Sequence, residues 1–193
     1  MIEWVALGER AIRFARPAGV SPRALVRAIR AWPGVIDVVI AREDVAAYFA
    51  GAPRVPEDPF AGAADDARDP VREHVLRAVY DGEDLDAIAR ATGVARDDII
   101  RRHAAATYTV DAIGFQPGFA YLVGLDRGLA LPRRATPRTR VPAGSIGIAG
   151  DATCVYPFDS PGGWNLVGRV VGAELFGERG ALLQLGDRVR FEP

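Results

Sequence analysis

The chain has 193 residues, 49% of them hydrophobic, which suits one large domain or two small ones, each with its own core. A formal net charge of −1 excludes a global field that would attract nucleic acid or an anionic membrane, and the single cysteine, Cys154, excludes a disulfide framework. All 24 basic residues are arginine, so a Schiff-base lysine, a Walker-type lysine and a lysine general base are excluded as well.

Residues 1–50 have the pattern of a small α/β unit. Its predicted elements are a strand-like stretch broken at a glycine, a helix and a hairpin: Trp4–Phe14, Arg23–Trp32, Val35–Ile40 and Val45–Phe49. Ser21 followed by Pro22 is typical of a helix start, because serine caps the free amides and proline fits the first turn. Residues 51–70 are rich in proline and acidic side chains and poor in apolar anchors, which predicts a linker.

Residues 71–193 are predicted to form the second and larger domain. Its first part holds a strand, two helices and another strand, and the domain ends in a final strand: Val75–Tyr80, Leu85–Thr92, Arg96–Ala106, Tyr108–Ile113 and Arg188–Phe191. Ten of the 21 glycines and six of the 14 prolines fall within residues 114–168. Many short strands joined by special turns indicate a closed or sandwiched β structure, so we expect an α+β protein.

The helix pair has the spacing of a DNA-binding helix-turn-helix motif, but Asp97 and Asp98 occupy the positions that would face phosphates. We therefore expect a packing unit and no nucleic-acid partner. His103 closes the second helix and is expected to be satisfied by the helix dipole or a backbone carbonyl. His74 is expected at the surface, and Cys154 is expected to be a small buried filler.

The first candidate site motif is Gly114–Leu122, in which three aromatic residues alternate around two glycines. Glycine permits backbone angles that other residues avoid, so this stretch is either a tight turn with core aromatics or a pocket wall. In the second interpretation Gln116, Phe119 and Tyr121 contact the substrate or an anion.

The second motif is a repeated Pro-Arg pair. Between residues 112 and 150 there are five arginines and one acid, Asp126. A charge run is often a solvated face, but proline fixes the backbone that aims each guanidinium, and an arginine fork suits a carboxylate or a phosphate. The functional interpretation makes Arg133 and Arg138 catalytic, with Arg140 assisting in anion binding.

Two further segments complete the candidate site. Val141–Gly150 is rich in small residues, and its amides at Gly144, Ser145 and Gly147 have the spacing of an anion nest, although barrel corners also use such turns. The glycine pair before Trp164 indicates a tight bend that places the indole either over a pocket or in the core. We include Trp164 among the substrate-binding candidates.

Six motifs follow one another in a fixed order: Gly114–Leu122, Pro132-Arg133, Pro137-Arg138, Val141–Gly150, Ser160–Gly168 and Gly186–Phe191. In this order they resemble the family of the B-type 5-oxoprolinase subunit, also called PxpB, which includes KipI-type kinase inhibitors and the first subunit of so-called allophanate hydrolases. The resemblance is strong over about residues 72–193 and loose over 1–50.

The resemblance implies a ferredoxin-like N-terminal domain and a cyclophilin-like β-barrel of the carboxyltransferase type. It implies a subunit that is inactive alone and acts with a paralogous C-type (PxpC-like) and an A-type (PxpA-like) partner in the ATP-dependent opening of 5-oxoproline to glutamate. ATP with Mg²⁺ would then bind at a shared interface, and neither a tightly bound cofactor nor a protein-bound metal is expected.

Two other functions stay open at this level. KipI-type relatives share the motifs, so a regulatory inhibitor of a sensor histidine kinase is one alternative, and half of a biotin-dependent carboxyltransferase is the other. The longest uncharged run, Ala112–Leu125, is shorter than the roughly 20 apolar residues of a membrane-spanning helix, and no signal peptide is visible. We expect a cytoplasmic protein without a membrane partner.

Overall fold

A computed structural model describes residues 2–64 and 71–193, which fall into two compact units, Met1–Pro70 and Val71–Pro193. The first unit contains four strands and a helix within its described residues: β1 (Trp4–Ala6), β2 (Ala11–Ala15), α1 (Pro22–Arg30), β3 (Val35–Ile40) and β4 (Asp44–Phe49). The strands form one antiparallel sheet in the order β1-β2-β4-β3. This mixed α/β content confirms the general fold class of the first unit.

Helix α1 begins as its sequence predicts. The Ser21 side chain accepts a hydrogen bond from the Ala24 amide at 3.3 Å, and Pro22 occupies the first turn, where its missing N–H is not needed. The helix buries Leu25 and Ile29 completely in the core of the unit. These contacts explain why nine residues suffice for a stable helix, since tertiary packing supplies most helical stability.

The ferredoxin-like arrangement of the first unit is not confirmed. A ferredoxin-like chain follows the order β-α-β-β-α-β, in which each helix connects two strands. In the described residues β1 and β2 form a direct hairpin, and α1 alone separates them from the β3–β4 hairpin. The resemblance was loose in this segment, and the strand order differs accordingly.

The predicted linker, residues 51–70, includes a part that packs on the first unit. The indole N–H of Trp32 donates to the Pro59 carbonyl at 2.7 Å, and the ring of Phe60 lies 6.1 Å from that of Phe14. Pro59 and Phe60 thus anchor a segment whose overall composition suggested a free linker. Residues 65–70 of the predicted linker lie outside the described residues.

The second unit is built around a closed barrel of seven strands in the order β10-β7-β6-β15-β5-β12-β9. Its described strands and α-helices are β5 (Glu73–Val79), α2 (Leu85–Thr92), α3 (Arg96–Ala105), β6 (Tyr108–Ile113), β7 (Ala120–Val123), β8 (Arg138–Val141), β9 (Ser145–Ala149), β10 (Ala152–Val155), β11 (Ser160–Gly162), β12 (Asn165–Val170), β13 (Phe176–Gly177), β14 (Gly180–Ala181) and β15 (Arg188–Glu192). Strand β15 pairs in parallel with β5, and the other barrel pairs are antiparallel. The predicted closed β structure is confirmed, whereas its likeness to cyclophilin stays a prediction.

Strands β9 and β10 are buried on both faces, which explains their continuous apolar sequences. One face, with Ile146 and Ile148, contributes to the main core of the barrel. On the other face Cys154 pairs with Gly147 and joins a second buried cluster that contains Trp164. Strands β8 and β11 form a separate two-stranded ribbon. The candidate site lies at this second cluster.

The backbone between β5 and α2 passes very close to β12. The Gly82 amide donates to the Val167 carbonyl at 3.2 Å, and the Asp84 amide donates to the Leu166 carbonyl at 3.2 Å. A Cβ atom at Gly82 would lie 2.5 Å from the Val167 Cα and still closer to the Leu166 oxygen. Only glycine allows this approach, which positions Asp84 beside the ribbon.

Helices α2 and α3 pack on the barrel through buried Leu85, Ile88 and Ile99. Asp98 forms an ion pair with Arg101 at 2.7 Å, one turn further along α3. The pair of helices is thus a packing unit, as expected. Across the described ranges, no helix has both the length and the apolar character that crossing a bilayer requires.

Candidate functional site

A cavity of about 250 Å³ opens at the second cluster of the barrel unit. It is lined by five aromatic rings, one arginine, two prolines and a glycine pair: Phe115, Phe119, Tyr121, Tyr156, Trp164, Arg133, Pro137, Pro161, Gly162 and Gly163. The structure therefore brings together four of the predicted site residues, Arg133, Phe119, Tyr121 and Trp164. Small-molecule sites are typically concave and mostly apolar, with a few polar groups that fix orientation, and this cavity fits that description.

The aromatic wall is held by edge-to-face contacts around Phe119. Its ring centroid lies 5.0 Å from Tyr121, 5.2 Å from Tyr156 and 6.2 Å from Trp164, in T-shaped geometry. Such pairs stabilise a fixed arrangement beyond the area that they bury. Phe119 and Tyr156 are almost completely buried, so the wall is a rigid surface.

The turn before this wall places Phe115 at the cavity rim with 63% of its surface exposed. Phe115 has a φ of 74°, which is uncommon for any residue other than glycine and costs about 1–3 kcal/mol. Gly118 also has a positive φ, and a Cβ there would lie 2.9 Å from the Phe176 Cβ. The strained rim residue therefore carries an exposed aromatic side chain directly over the cavity.

Two glycines allow close packing against rings that line the cavity. A Cβ at Gly147 would lie 2.8 Å from the Trp164 Cβ, and one at Gly162 would overlap the Tyr156 hydroxyl. Gly147 thus acts by letting the indole pack directly on the sheet, and not as a donor in an anion nest as predicted. Trp164 satisfies both interpretations of its sequence, since it is buried in the second cluster and also lines the cavity.

Arg133 lies at the cavity edge with its guanidinium carbon 5.7 Å from the centroid of the Trp164 ring. This distance is typical of a cation–π contact. No acidic side chain of residues 2–64 and 71–193 forms an ion pair with Arg133. Its donors are therefore available to an anion in the cavity.

Arg138 differs from the prediction, because its fork is already occupied. Its Nη2 donates to both carboxylate oxygens of Asp84 at 2.7 and 2.8 Å, and its Nε lies 2.7 Å from a Glu83 oxygen. Its Nη1 also reaches the Trp164 carbonyl at 3.4 Å. Arg138 therefore ties the turn before α2 to the segment that carries the indole, and it is not aimed at the cavity.

The remaining predicted anion ligands also have partners within the chain. Arg140 pairs with Asp159 through two hydrogen bonds of 2.8 and 2.6 Å at the surface. The Gly144 and Ser145 amides donate to the carbonyls of Tyr156 and Pro142, so they form a turn and not an open nest.

Gln116 lies close to the cavity without lining it. Its side-chain amide donates to the Ser160 hydroxyl at 3.4 Å, and the next residues, Pro161 and Gly162, belong to the cavity wall. The contact joins the turn before β7 to strand β11. Gln116 therefore supports the wall and makes no direct contribution to its surface.

Sequence reasoning missed Asp84 and Tyr156. The buried Asp84 carboxylate accepts hydrogen bonds from Arg134, Arg138 and the Leu166 amide, although an aspartate before a helix usually caps that helix. Tyr156 follows β10 and lines the cavity, and burial raises the pKa of its phenol, which stays neutral. The partners of the Asp84 carboxylate are at least 50 residues away, so no local pattern reveals them. The acidic run Asp81–Asp84 is the one sequence signal that points to this carboxylate.

The titratable residues outside the cavity also differ from expectation. His74, expected at the surface, is half-buried and lies 3.0 Å from a carboxylate oxygen of the fully buried Asp187. Cys154 is buried as predicted, and burial raises the pKa of its thiol, which makes it an inert filler. Within the described ranges no group of three His, Cys, Asp or Glu side chains could hold a metal ion.

His103 is completely buried and is satisfied by side chains, not by a helix dipole or a carbonyl. The Thr153 hydroxyl donates its hydrogen to the Gly147 carbonyl, so its oxygen accepts from His103 Nε2 at 3.0 Å. His103 Nδ1 then accepts from the Tyr80 hydroxyl at 2.8 Å. The chain of hydrogen bonds fixes a neutral imidazole beside Tyr108 and Phe191 in the barrel core.

This buried imidazole predicts a pH dependence of stability. Burial lowers the pKa of His103 to about 3, whereas an unfolded histidine titrates near about 6.5. Between these values the unfolded chain binds a proton that the folded chain does not. The contribution of His103 to the free energy of unfolding is therefore fully present above a pH of about 6.5 and falls by about 1.4 kcal/mol per pH unit as the pH decreases toward about 3. Denaturant unfolding of the wild type and His103→Gln from neutral pH to about pH 4 should show a loss of stability that is steeper in the wild type by about 1.4 kcal/mol per pH unit, because the groups that the two proteins share contribute equally to both. Parallel profiles would contradict the prediction.

Comparisons with known proteins agree with this architecture. The B-type 5-oxoprolinase subunit of Haemophilus influenzae is 52% identical over 113 residues, which cover 57% of this chain and 53% of that protein. The B-type 5-oxoprolinase subunit of Bacillus subtilis is 35% identical over 154 residues, which cover 77% of this chain and 64% of that protein. The chain thus spans about half to two thirds of the length of these curated relatives.

Solved structures share the fold. A conserved uncharacterized protein of Pyrococcus horikoshii matches 99% of this chain and 97% of its own with a TM-score of 0.60 and 28% identity. The structure of Kluyveromyces lactis urea carboxylase aligns with the whole of this chain over 22% of its own length, with a TM-score of 0.69. Its sequence identity is 17%, so this match shows the fold alone. The family described as carboxyltransferase domain, subdomain C and D, matches residues 4–180. The chain therefore belongs to the carboxyltransferase domain family, and its similarity to the B-type subunits of 5-oxoprolinase confirms the resemblance found in its sequence motifs.

Proposed function

We propose that this chain is a non-autonomous subunit of an ATP-dependent 5-oxoprolinase, a lactam hydrolase that opens 5-oxoproline to glutamate. The observation that carries the proposal is the coincidence of two facts. Curated relatives are named as the B-type subunit of that enzyme, and this chain has an aromatic cavity whose edge carries an arginine without an ion pair among the described residues. A paralogous C-type subunit and an A-type subunit are the proposed partners.

The proposed chemistry suits the residues that the chain offers. A lactam resists hydrolysis, and transfer of a phosphoryl group from ATP to its oxygen makes the carbonyl carbon electrophilic toward water. Phosphoryl transfer requires positioning and charge stabilisation more than a protein nucleophile. Arg133 supplies a fixed positive charge that positions an anionic substrate beside the aromatic wall.

The cavity is too poor in cations to hold ATP by itself. Of the described residues that line it, Arg133 alone is charged, whereas a triphosphate with Mg²⁺ needs several donors. We therefore propose that ATP binds at an interface that includes a partner subunit. The lone chain should then be inactive.

Reconstitution tests this proposal. The purified chain alone should neither hydrolyse ATP nor release glutamate from 5-oxoproline, and both activities should appear together when the C-type and A-type partners are added. Sustained turnover by the lone chain, free of contaminants, would show that the site is not shared.

Half of a biotin-dependent carboxyltransferase is the second candidate, because the matching family is described as a carboxyltransferase domain. A biotin carboxylase gene beside this one favours the second candidate, and genes for the C-type and A-type partners favour the first. In solution, transfer of a carboxyl group from carboxybiotin by the mixed subunits, without ATP-dependent release of glutamate, would replace the first proposal with the second.

A further inference from the structure

The arginines of segment 132–140 are not equivalent. Arg134 and Arg138 both pair with the buried Asp84, and Arg140 pairs with Asp159. Arg133 forms no ion pair with the described residues and is the one that faces the cavity. The chain thus neutralises each guanidinium that supports its own structure and leaves this one for an external anion.

The contact with Trp164 prepares Arg133 for that role. The guanidinium carbon lies 5.7 Å from the centroid of the indole ring, within the distance of a cation–π contact. The N–H donors lie in the plane of the guanidinium and stay free to form two parallel bonds to a carboxylate. Because the ring restricts the side chain, less rotamer entropy is lost when an anion binds.

The walls define the rest of the ligand. The rings of Phe119, Tyr121 and Trp164 form apolar surfaces on one side of the cavity, and Phe115 covers the rim. Tyr156 stays neutral because burial raises the pKa of its phenol, so no negative charge opposes an anion there. The volume of about 250 Å³ lies just below the range of about 300–1,000 Å³ that drug-sized ligands occupy. The cavity therefore suits a small, flat, mostly apolar body that carries a single carboxylate.

We infer that this cavity binds the carboxylate-bearing lactam itself, with Arg133 on the carboxylate and the aromatic rings around the five-membered ring, and that the isolated chain does so without its partners. The inference rests on the proposed function, which supplies 5-oxoproline as the substrate, and it assigns substrate recognition to this subunit. A multiply charged phosphate is excluded as the primary ligand because Arg133 is the one charged group among the described lining residues.

Calorimetric titration of the full chain with three probes tests the inference. 5-Oxoproline carries both the ring and the carboxylate, 2-pyrrolidinone carries the ring alone, and acetate carries the carboxylate alone. We expect 5-oxoproline to bind at least about tenfold more tightly than either of the others. The reason is that 2-pyrrolidinone lacks the carboxylate that contacts Arg133, and acetate lacks the ring that contacts the aromatic wall. In Arg133→Gln this preference over 2-pyrrolidinone should disappear, whereas Arg127→Gln, the same charge change at an exposed position outside the cavity, should keep it.

The outcomes separate the inference from the proposed function. Equal binding of 5-oxoproline and 2-pyrrolidinone, an unchanged preference in Arg133→Gln, or no binding at the concentrations that saturate the reconstituted enzyme would overturn the inference. If the mixed subunits turn over 5-oxoproline but the lone chain does not bind it, the inference is wrong and the proposed function stands. Selective binding by the lone chain without turnover in any mixture supports the inference and removes the proposed reaction.

Discussion

Arg138→Ala is expected to destabilise the second unit by about 3 kcal/mol, because the buried Asp84 carboxylate would lose the Nη2 donor that both of its oxygens share. The Arg138 side chain is 14% exposed and that of Asp84 6%, so water cannot readily replace the lost donors. Removal of one partner of a buried ion pair typically costs about 3–5 kcal/mol. We expect the low end of this range because Arg134 still contacts Asp84 at 3.0 Å. Thermal unfolding should show a melting temperature lower by roughly 10 °C.

Arg140→Ala is the matched control for this prediction. Arg140 lies two residues along the same strand and also pairs with an aspartate, Asp159, but its side chain is 77% exposed. Exposed ion pairs contribute about 0–1 kcal/mol, so this variant should unfold almost as the wild type does. Arg138→Lys should be intermediate, because one ammonium cannot serve both Asp84 and Glu83 in the same geometry. Equal stability of the Arg138→Ala and Arg140→Ala variants would show that the Asp84 contact is not a stabilising one.

Gly82→Ala is expected to destabilise the same unit by about 3 kcal/mol for a steric reason. The new methyl group would lie 2.5 Å from the Val167 Cα and would overlap the Leu166 carbonyl oxygen. Both are backbone atoms of a barrel strand, so neither can rotate away as a side chain would. Relief would require separation of the turn from β12, with loss of the hydrogen bonds of Gly82 and Asp84 to that strand. Equilibrium denaturation measures the loss directly.

Gly114→Ala controls for the general effect of replacing glycine. No atom lies within 4 Å of a Cβ at Gly114, and its φ is not positive. The substitution should therefore be neutral or should raise stability by up to about 1 kcal/mol, since alanine restricts the unfolded chain. If Gly82→Ala were as stable as Gly114→Ala, the close approach of the two backbones would not be a constraint in solution.

Much of the fold could be predicted because its signals are local. Ser21 and Pro22 start α1, and the periodic runs of α2, α3 and β6 fall within a residue of their predicted ends. The density of glycine and proline indicated a closed β structure, and the barrel confirms it. The order of strands in the first unit could not be predicted, because pairing of β2 with β4 depends on contacts between distant residues.

The sequence indicated which types of residue form the candidate site, but it did not show which of them contact a ligand and which support the structure. Two Pro-Arg pairs look alike in the sequence, and the structure separates them by the position of Asp84, which is 54 residues from Arg138. His103 lies 50 residues from Thr153, so no local pattern reveals that its imidazole is buried and neutral. Local spacing identified the chemistry available here, whereas tertiary contacts decided which groups remain free to use it.

The place of strand β15 has a consequence for the synthesis of the chain. This strand lies between β5 and β6, so the two neighbours that it joins are made long before it is. Until residues 188–192 leave the ribosome, β5 and β6 each present an unpaired edge, and such edges invite pairing with other chains. Closure must then wait for a contact of very large sequence separation, which slows folding. The nascent chain therefore exposes both edges throughout the synthesis of residues 114–187, and the barrel can close only after β15 has paired with them.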